Sequence, residues 1–188
     1  TAFPVSGRFH VITKSPLTGG IGDSNCGGDW GPELRFSGFD GIIFEGMSKE
    51  PVYLYVNEGR AQLKSAKEYW GMGVWDLEDS IRKDLGDSKI KVASIGPAGE
   101  NLTLFSAIVN DKHRAAGRVG VGAVMGSKKL KSVAVRGTKE PEVYDVEGLE
   151  RAAKKAIETI RTSEITAKTL PDLGTSALVK TINEHGIY

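Results

Sequence analysis

The sequence predicts an α+β fold, β-rich up to about residue 137 and helical beyond it. Short apolar runs bounded by glycine and turn residues fill the first part, which is a strand texture. After Gly137, the apolar residues Val146, Leu149, Ala153, Ala156, Ile157 and Ile160 recur at helical spacing. Glycine is the third observation: 24 of 188 residues, about 13%, against a usual ~7%.

Residues 9–13 form the first expected strand, and the turn residues of Ser15-Pro16-Leu17-Thr18-Gly19-Gly20 end it. A short helix is expected over 32–37, with Pro32 suited to its first turn and Gly38 to its exit. The apolar run Ile42-Ile43-Phe44, with a glycine beyond each end, favours a buried strand over 41–46. Residues 51–56 and 61–64 read as a hairpin with a slightly long loop over 57–60. Val74, Leu77, Ile81 and Leu85 mark a helix closed by Gly86. Strands are expected over 90–95, 102–109 and 132–135, and the lysine run 128–131 reads as an exposed turn. The stretch 138–142, with Pro141, is the natural boundary; helices follow from Asp145 and over 175–184.

With 25 Lys and Arg against 24 Asp and Glu, the net charge of +1 argues against a dedicated nucleic-acid binder. One cysteine excludes an internal disulfide, a zinc ribbon and an iron–sulfur cluster held by this chain alone. No apolar run is long enough to span a bilayer, and the opening residues lack the pattern of a signal peptide. The chain begins without Met and reads as a fragment or processed product, with the cytoplasm as its expected compartment.

The glycines cluster over 19–31 and 114–126. Such stretches let main-chain N–H groups approach a ligand and form anion-binding concavities. Arg114 and Arg118 in the second cluster, and Arg8 before the first, add planar donors suited to phosphates. Tight turns and bulges in a packed β domain demand glycine equally.

Nucleotide motifs fail directly. Between Gly122 and Gly126 only three residues intervene, too few for a P-loop, and the pattern Gly120-x-Gly122-x-x-x-Gly126 leads into a strand where a dinucleotide fingerprint needs a helix. His10, His113 and His185 fit no metal-binding spacing. Cys26 suits a nucleophile or soft-metal ligand, but a small residue filling a tight turn is the commoner case. Glu45 and Glu100 offer carboxylates for acid–base work, with a solvated strand end as the plain alternative for Glu45.

The residue strings go further. The runs 7–19, Asn25-Cys26-Gly27-Gly28 with 31–40, 95–101, 110–118 and 120–128 occur in the order and spacing of one family. Together they resemble the N-terminal part of the aldehyde ferredoxin oxidoreductase family. That resemblance implies a β-rich pterin-binding domain of two packed sheets with short helices over 1–137, lacking its first strands. The start of an α-helical domain would occupy 138–188. It implies a tungsten bis-pterin cofactor with a magnesium ion bridging the two pterin phosphates, and a four-iron four-sulfur cluster ligated outside this segment. Arg8 would lie between pterin and cluster, and Asn25 and Ala115 would offer main-chain carbonyls to the magnesium. Cys26, Gly27, Arg114, Gly117 and Arg118 would line the phosphates and pterin edges, and no catalytic residue is expected in this segment. Cys26 and Val119 depart from the family pattern, which has serine or a small residue at the first and glycine at the second.

The implied parent is a tungsten-dependent oxidoreductase converting aldehydes to carboxylic acids, with ferredoxin and a small-molecule aldehyde as partners. Nucleic acid and membrane are not expected, and a homodimer is compatible with the family. The fragment alone is not expected to turn over substrate. The alternatives are a cofactor domain of an aromatic acyl-thioester reductase, or a non-catalytic module binding a phosphate ligand or a partner.

Overall fold

The structure is a computed structural model and describes residues 3–187. It divides into two compact units, Gly7–Pro141 and the remainder.

In the larger unit, β1 (Phe9–Lys14) and β2 (Ile21–Cys26) pair as an antiparallel hairpin. Helix α1 (Trp30–Phe36) follows, then β3 (Val52–Asn57), β4 (Arg60–Ser65), α2 (Val74–Leu85) and β5 (Lys91–Ser94). The turn of helix α3 (Pro97–Glu100), β6 (Ile108–Asn110), β7 (Arg114–Ala116), α4 (Val121–Ser127) and β8 (Leu130–Arg136) complete it. Strands β3 to β8 form one sheet in the order β4-β3-β8-β5-β6-β7. Only β3 and β8 run parallel; the other neighbours are antiparallel.

Period-two alternation splits the interior into two cores. Leu54, Val56, Ala93, Val133 and Val135 face one side, where Trp30 and Leu34 of α1 and Val121 and Met125 of α4 cover them. Phe9, Val11 and Cys26 of the hairpin pack into that same core, so the two sheets share it. Tyr53, Val92 and Ala134 face the other side, against Leu77 and Ile81 of α2. Strand β8 is buried throughout except at Arg136, as a central strand covered on both faces should be.

Several expectations change. The hairpin loop at 57–60 is tighter than its residues suggested: Asn57 pairs with Arg60, leaving a two-residue turn at Glu58 and Gly59 with φ of 49° and 81°. Positive φ at both positions is the backbone that matches strand twist. Residues 41–46 form no strand. Ile42 and Phe44 anchor the segment to the core while Ile43 is exposed, and Lys128 Nζ donates to Gly46 O at 3.0 Å. The strand expected over 102–109 contracts to β6, because Leu102 takes a left-handed φ of 58° and the apolar Leu104 and Phe105 turn outward. Helix α1 begins two residues earlier than expected, at Trp30.

The lysine run is not an exposed turn. Lys131 is fully buried on β8, paired with Glu100 and donating to Met72 O at 2.8 Å. Glu100 also accepts the Gly71 N–H at 2.8 Å, so its carboxylate is committed to the fold and not to acid–base work. Glu45 lies exposed in the irregular segment.

In the smaller unit, α5 (Val146–Thr162) starts where expected, with Asp145 Oδ1 accepting the Gly148 N–H at 2.7 Å. A π turn (Ile165–Thr169), α6 (Leu170–Leu173), a 3-10 turn (Gly174–Ala177) and α7 (Leu178–Glu184) follow. The helix expected over 175–184 is therefore split: the 3-10 turn occupies its first residues and α7 the rest.

Candidate functional site

The two glycine clusters meet where β2 packs on β7, the edge strand of the six-stranded sheet. Alternation on the hairpin decides which residues of the first cluster look outward. Gly22, Ser24 and Cys26 are buried, whereas Asp23 is exposed and Asn25 half-buried. On β1, Phe9 and Val11 turn inward and His10 and Ile12 outward. Phe9 packs against Trp30 with ring centroids 4.7 Å apart, which fixes the hairpin's approach to α1.

On the outer face, Arg8 Nε donates to Asn25 Oδ1, and Arg8 Nη2 reaches Asn25 O at 3.5 Å. Asn25 Nδ2 contacts His10 Nε2 at 2.7 Å, and His10 Nδ1 contacts Asp23 Oδ1 at 2.9 Å. Four side chains thus form one continuous polar row on the hairpin.

Cys26 is 2% exposed, so its thiol is enclosed. Burial pushes its thiol up, against the hydrogen bond from Asn110 and the positive fields of Arg8 and Arg114. A protonated, enclosed thiol is neither a nucleophile nor a ready metal ligand. Asn110 Nδ2 donates to Cys26 Sγ at 3.0 Å and to Gly27 O at 3.3 Å, tying the end of β6 to the end of β2.

Gly28 has φ of 102°, and a Cβ there would sit 2.4 Å from Asn110 Oδ1 and 2.5 Å from Asp111 Oδ2. Asp111 Oδ2 accepts the Asp29 N–H at 2.6 Å, and Lys91 Nζ bridges to Asp29 at 2.7 Å. The loop after β2 is thereby cemented to the turn between β6 and β7. A cleft of about 380 Å³ opens beside it, lined by Gly28, Lys91, Asp111, His113 and Arg114 among others. Glu78 also lines it, with Arg82 at 2.7 Å, and burial holds its carboxyl above the usual carboxylate range despite that arginine.

Beyond β7, Ser24 Oγ accepts the Arg118 N–H at 3.1 Å, and Ser15 Oγ donates to Val119 O at 2.9 Å. Val119, a β-branched residue at φ 57°, sits in a backbone region unfavourable to it. Its side chain occupies the space left by Gly22, where a Cβ would fall 2.7 Å from Val119 Cγ2.

Arg114, Ala115, Gly117 and Arg118 are all exposed. Neither the Arg114 nor the Arg118 guanidinium has a hydrogen-bond or ion-pair partner among the described residues, so both are available to an anion. Ala115 lies on an edge strand, whose outer row of backbone groups has no ladder partner. Gly27 lies beside Arg8, with Nη1 3.4 Å from where a Cβ would stand. The glycines that follow serve packing instead: a Cβ on Gly120 would lie 2.0 Å from Leu104 O, on Gly122 2.6 Å from Ala107 O, and on Gly126 2.0 Å from Gly99 O. These last two sit inside α4, a helix the sequence did not announce. Among the described residues no group of three or more His, Cys, Asp and Glu side chains could hold a metal.

Asp23, Ser24 and Asn110 carried no weight in the sequence. The spacing of two between Asp23 and Asn25 becomes a signal only once residues 21–26 form β2, a strand the sequence did not announce; Asn110 offered none, since its partners are over eighty residues away.

A family model described as the N-terminal domain of aldehyde ferredoxin oxidoreductase matches residues 1–137. The tungsten-containing aldehyde ferredoxin oxidoreductase of Pyrococcus furiosus is 47% identical over all 188 residues, and that of Pyrococcus horikoshii 48%. The chain spans 31% of the length of each. The WOR-like subunit of an aliphatic sulfonate oxidoreductase from Pyrococcus furiosus is 38% identical over 153 residues, 74% of this chain and 24% of that one. Among solved structures, the active-site complex BamBC of benzoyl coenzyme A reductase, bound to 1,5-dienoyl-CoA, superposes with a TM-score of 0.84. It is 38% identical, over 86% of this chain and 24% of its own. With its full length matched at this level and its first 137 residues covered by the family model, the chain belongs to the aldehyde ferredoxin oxidoreductase family.

Proposed function

We propose that this chain is the cofactor-binding base of a tungsten-dependent oxidoreductase that converts aldehydes to carboxylic acids and passes the electrons to ferredoxin. In this reading residues 1–137 form the pterin domain and 138–188 open a helical one. The observation that carries it is the pair of guanidinia without partners among the described residues, Arg114 at the start of an edge strand and Arg118 just beyond its end, with that strand packed on the strand of Asn25. The residues fit a doubly anionic ligand: two arginines without partners among the described residues, an open Gly117, and Gly27 beside Arg8.

Arg114 and Arg118 would hold the two phosphates by charge-assisted hydrogen bonds, and the carbonyls of Asn25 and Ala115 would hold a magnesium ion between them. Cys26 and Gly27 would contribute backbone along the pterin edge, and Arg8, fixed by Asn25, would sit between pterin and a four-iron cluster ligated elsewhere. The tungsten dithiolene, when bound, supplies the oxygen-transfer and two-electron chemistry. This chain's part is to position it and balance its charge. Cytoplasmic location accompanies this reading. Among the described residues no helix is long and apolar enough to cross a membrane.

The likeness to the benzoyl coenzyme A reductase complex favours one second reading, the cofactor base of an aromatic acyl-thioester reductase. Higher identity over the whole chain supports the aldehyde reading. The test uses the full-length parent purified without oxygen. The wild type should carry about one tungsten and about four irons per chain, and Arg114→Ala and Arg118→Ala should each cut tungsten several-fold while leaving a folded protein. Unchanged tungsten in both variants would remove these residues from the site. Reduction of ferredoxin by aldehydes, set against reduction of an aromatic acyl thioester, separates the two readings.

A further inference from the structure

We propose that His10 and Asp23 are positioning residues that set the direction of Asn25 and, through it, of Arg8. The proposal rests on the assignment of Arg8 and Asn25 to the cofactor face.

The hydrogen bonds along the hairpin have one consistent polarity. An amide nitrogen can only donate, so the contact from Asn25 Nδ2 makes His10 Nε2 an acceptor. The ring proton then sits on Nδ1, where it donates to Asp23 Oδ1 at 2.9 Å. Asn25 Oδ1, on the opposite side of the same amide, accepts from Arg8 Nε. Each bond depends on the one before it. Asp23 selects the histidine tautomer, the tautomer selects which way the Asn25 amide faces, and the amide presents oxygen rather than nitrogen to Arg8.

A reversed amide would place NH₂ against the Arg8 guanidinium, two donors facing each other, and leave the arginine only its long Nη2 contact to Asn25 O at 3.5 Å. The strand register makes the row possible. His10 and Asn25 are directly paired, and Asp23 is two residues from Asn25 on the same face. His10 and Asp23 are each 53% exposed at the side chain. Their substitution therefore leaves the core intact, and the row is explained by its orienting effect and not by burial.

The test is nuclear magnetic resonance on the nitrogen-labelled 188-residue chain, followed by metal analysis of the parent. In the wild type the His10 ring should show the Nδ1-protonated tautomer, and the Arg8 Nε–H should exchange slowly with water. His10→Phe keeps a ring but no polar atom, and should speed that exchange about five-fold, the worth of one ordinary hydrogen bond. His10→Gln keeps an acceptor for Asn25 and a donor for Asp23, and should restore slow exchange. Asp23→Ala should shift the tautomer population and loosen Arg8 in the same direction.

Unchanged Arg8 exchange in His10→Phe, or slow exchange kept by Phe and lost by Gln, would overturn the proposal, as would an Nε2-protonated ring in the wild type. Failure of the underlying assignment looks different. If Arg8 is held through His10 but Arg8→Ala leaves tungsten in the parent, the orienting row stands and the cofactor role of Arg8 falls. If Arg8→Ala empties the parent of tungsten but His10→Phe leaves Arg8 exchange unchanged, the reverse holds.

Discussion

Gly117 and Gly120 belong to one glycine-rich stretch, yet the fold needs only the second. Gly120 has φ of 73° with Leu104 O standing where a Cβ would go, whereas a Cβ on Gly117 would meet nothing within 4 Å. The first cluster divides in the same way: Gly28 is hemmed in by Asn110 and Asp111, while Gly19 and Gly20 form an open turn. Glycine enrichment is thus two signals laid over one another, close packing of backbone on backbone and open space kept at a surface. Sequence composition adds them together; only the neighbours separate them.

The difference can be broken by substitution. Gly120→Ala combines a left-handed backbone with a clash against a carbonyl, and should cost about 3 kcal/mol or more. Thermal unfolding should register this as a Tm lower by about 6–12 °C for a chain of this size. Gly28→Ala is the intermediate case, strained at φ 102° but facing side-chain oxygens that can shift, and should cost about 2 kcal/mol in denaturant titration. Gly117→Ala should change stability by no more than about 0.5 kcal/mol. If the open space is kept for the pterin, the same variant should still lower tungsten retention in the parent. A Gly117→Ala protein that is clearly destabilised would erase the contrast with Gly120.

Elements whose periodicity and end residues agree are legible in the sequence. Helix α2 ends at Gly86 with φ 70°, α5 begins on the Asp145 cap, and β3 with β4 makes the expected hairpin. Helix α4 is not legible, because Val-Gly-Ala-Val-Met-Gly-Ser has poor intrinsic helix propensity and is held by packing on α3 and residues 106–107. The burial of Lys131 is also hidden, since its partner Glu100 is distant in sequence and a lysine run ordinarily reads as surface. At the site, the arginines of the second cluster stand out by charge beside glycine. The places of Asn25 and Ala115 come from family resemblance alone, because a main-chain carbonyl leaves no mark on residue type.

Strand β8 has a consequence for how the molecule is made. It is the last strand of the larger unit in sequence and sits mid-sheet, between the β3–β4 hairpin and the β5–β6–β7 run. Until residues 130–136 leave the ribosome, those two pieces share no ladder. The two halves of the six-stranded sheet are therefore joined only at the end of the unit's synthesis, by its last strand.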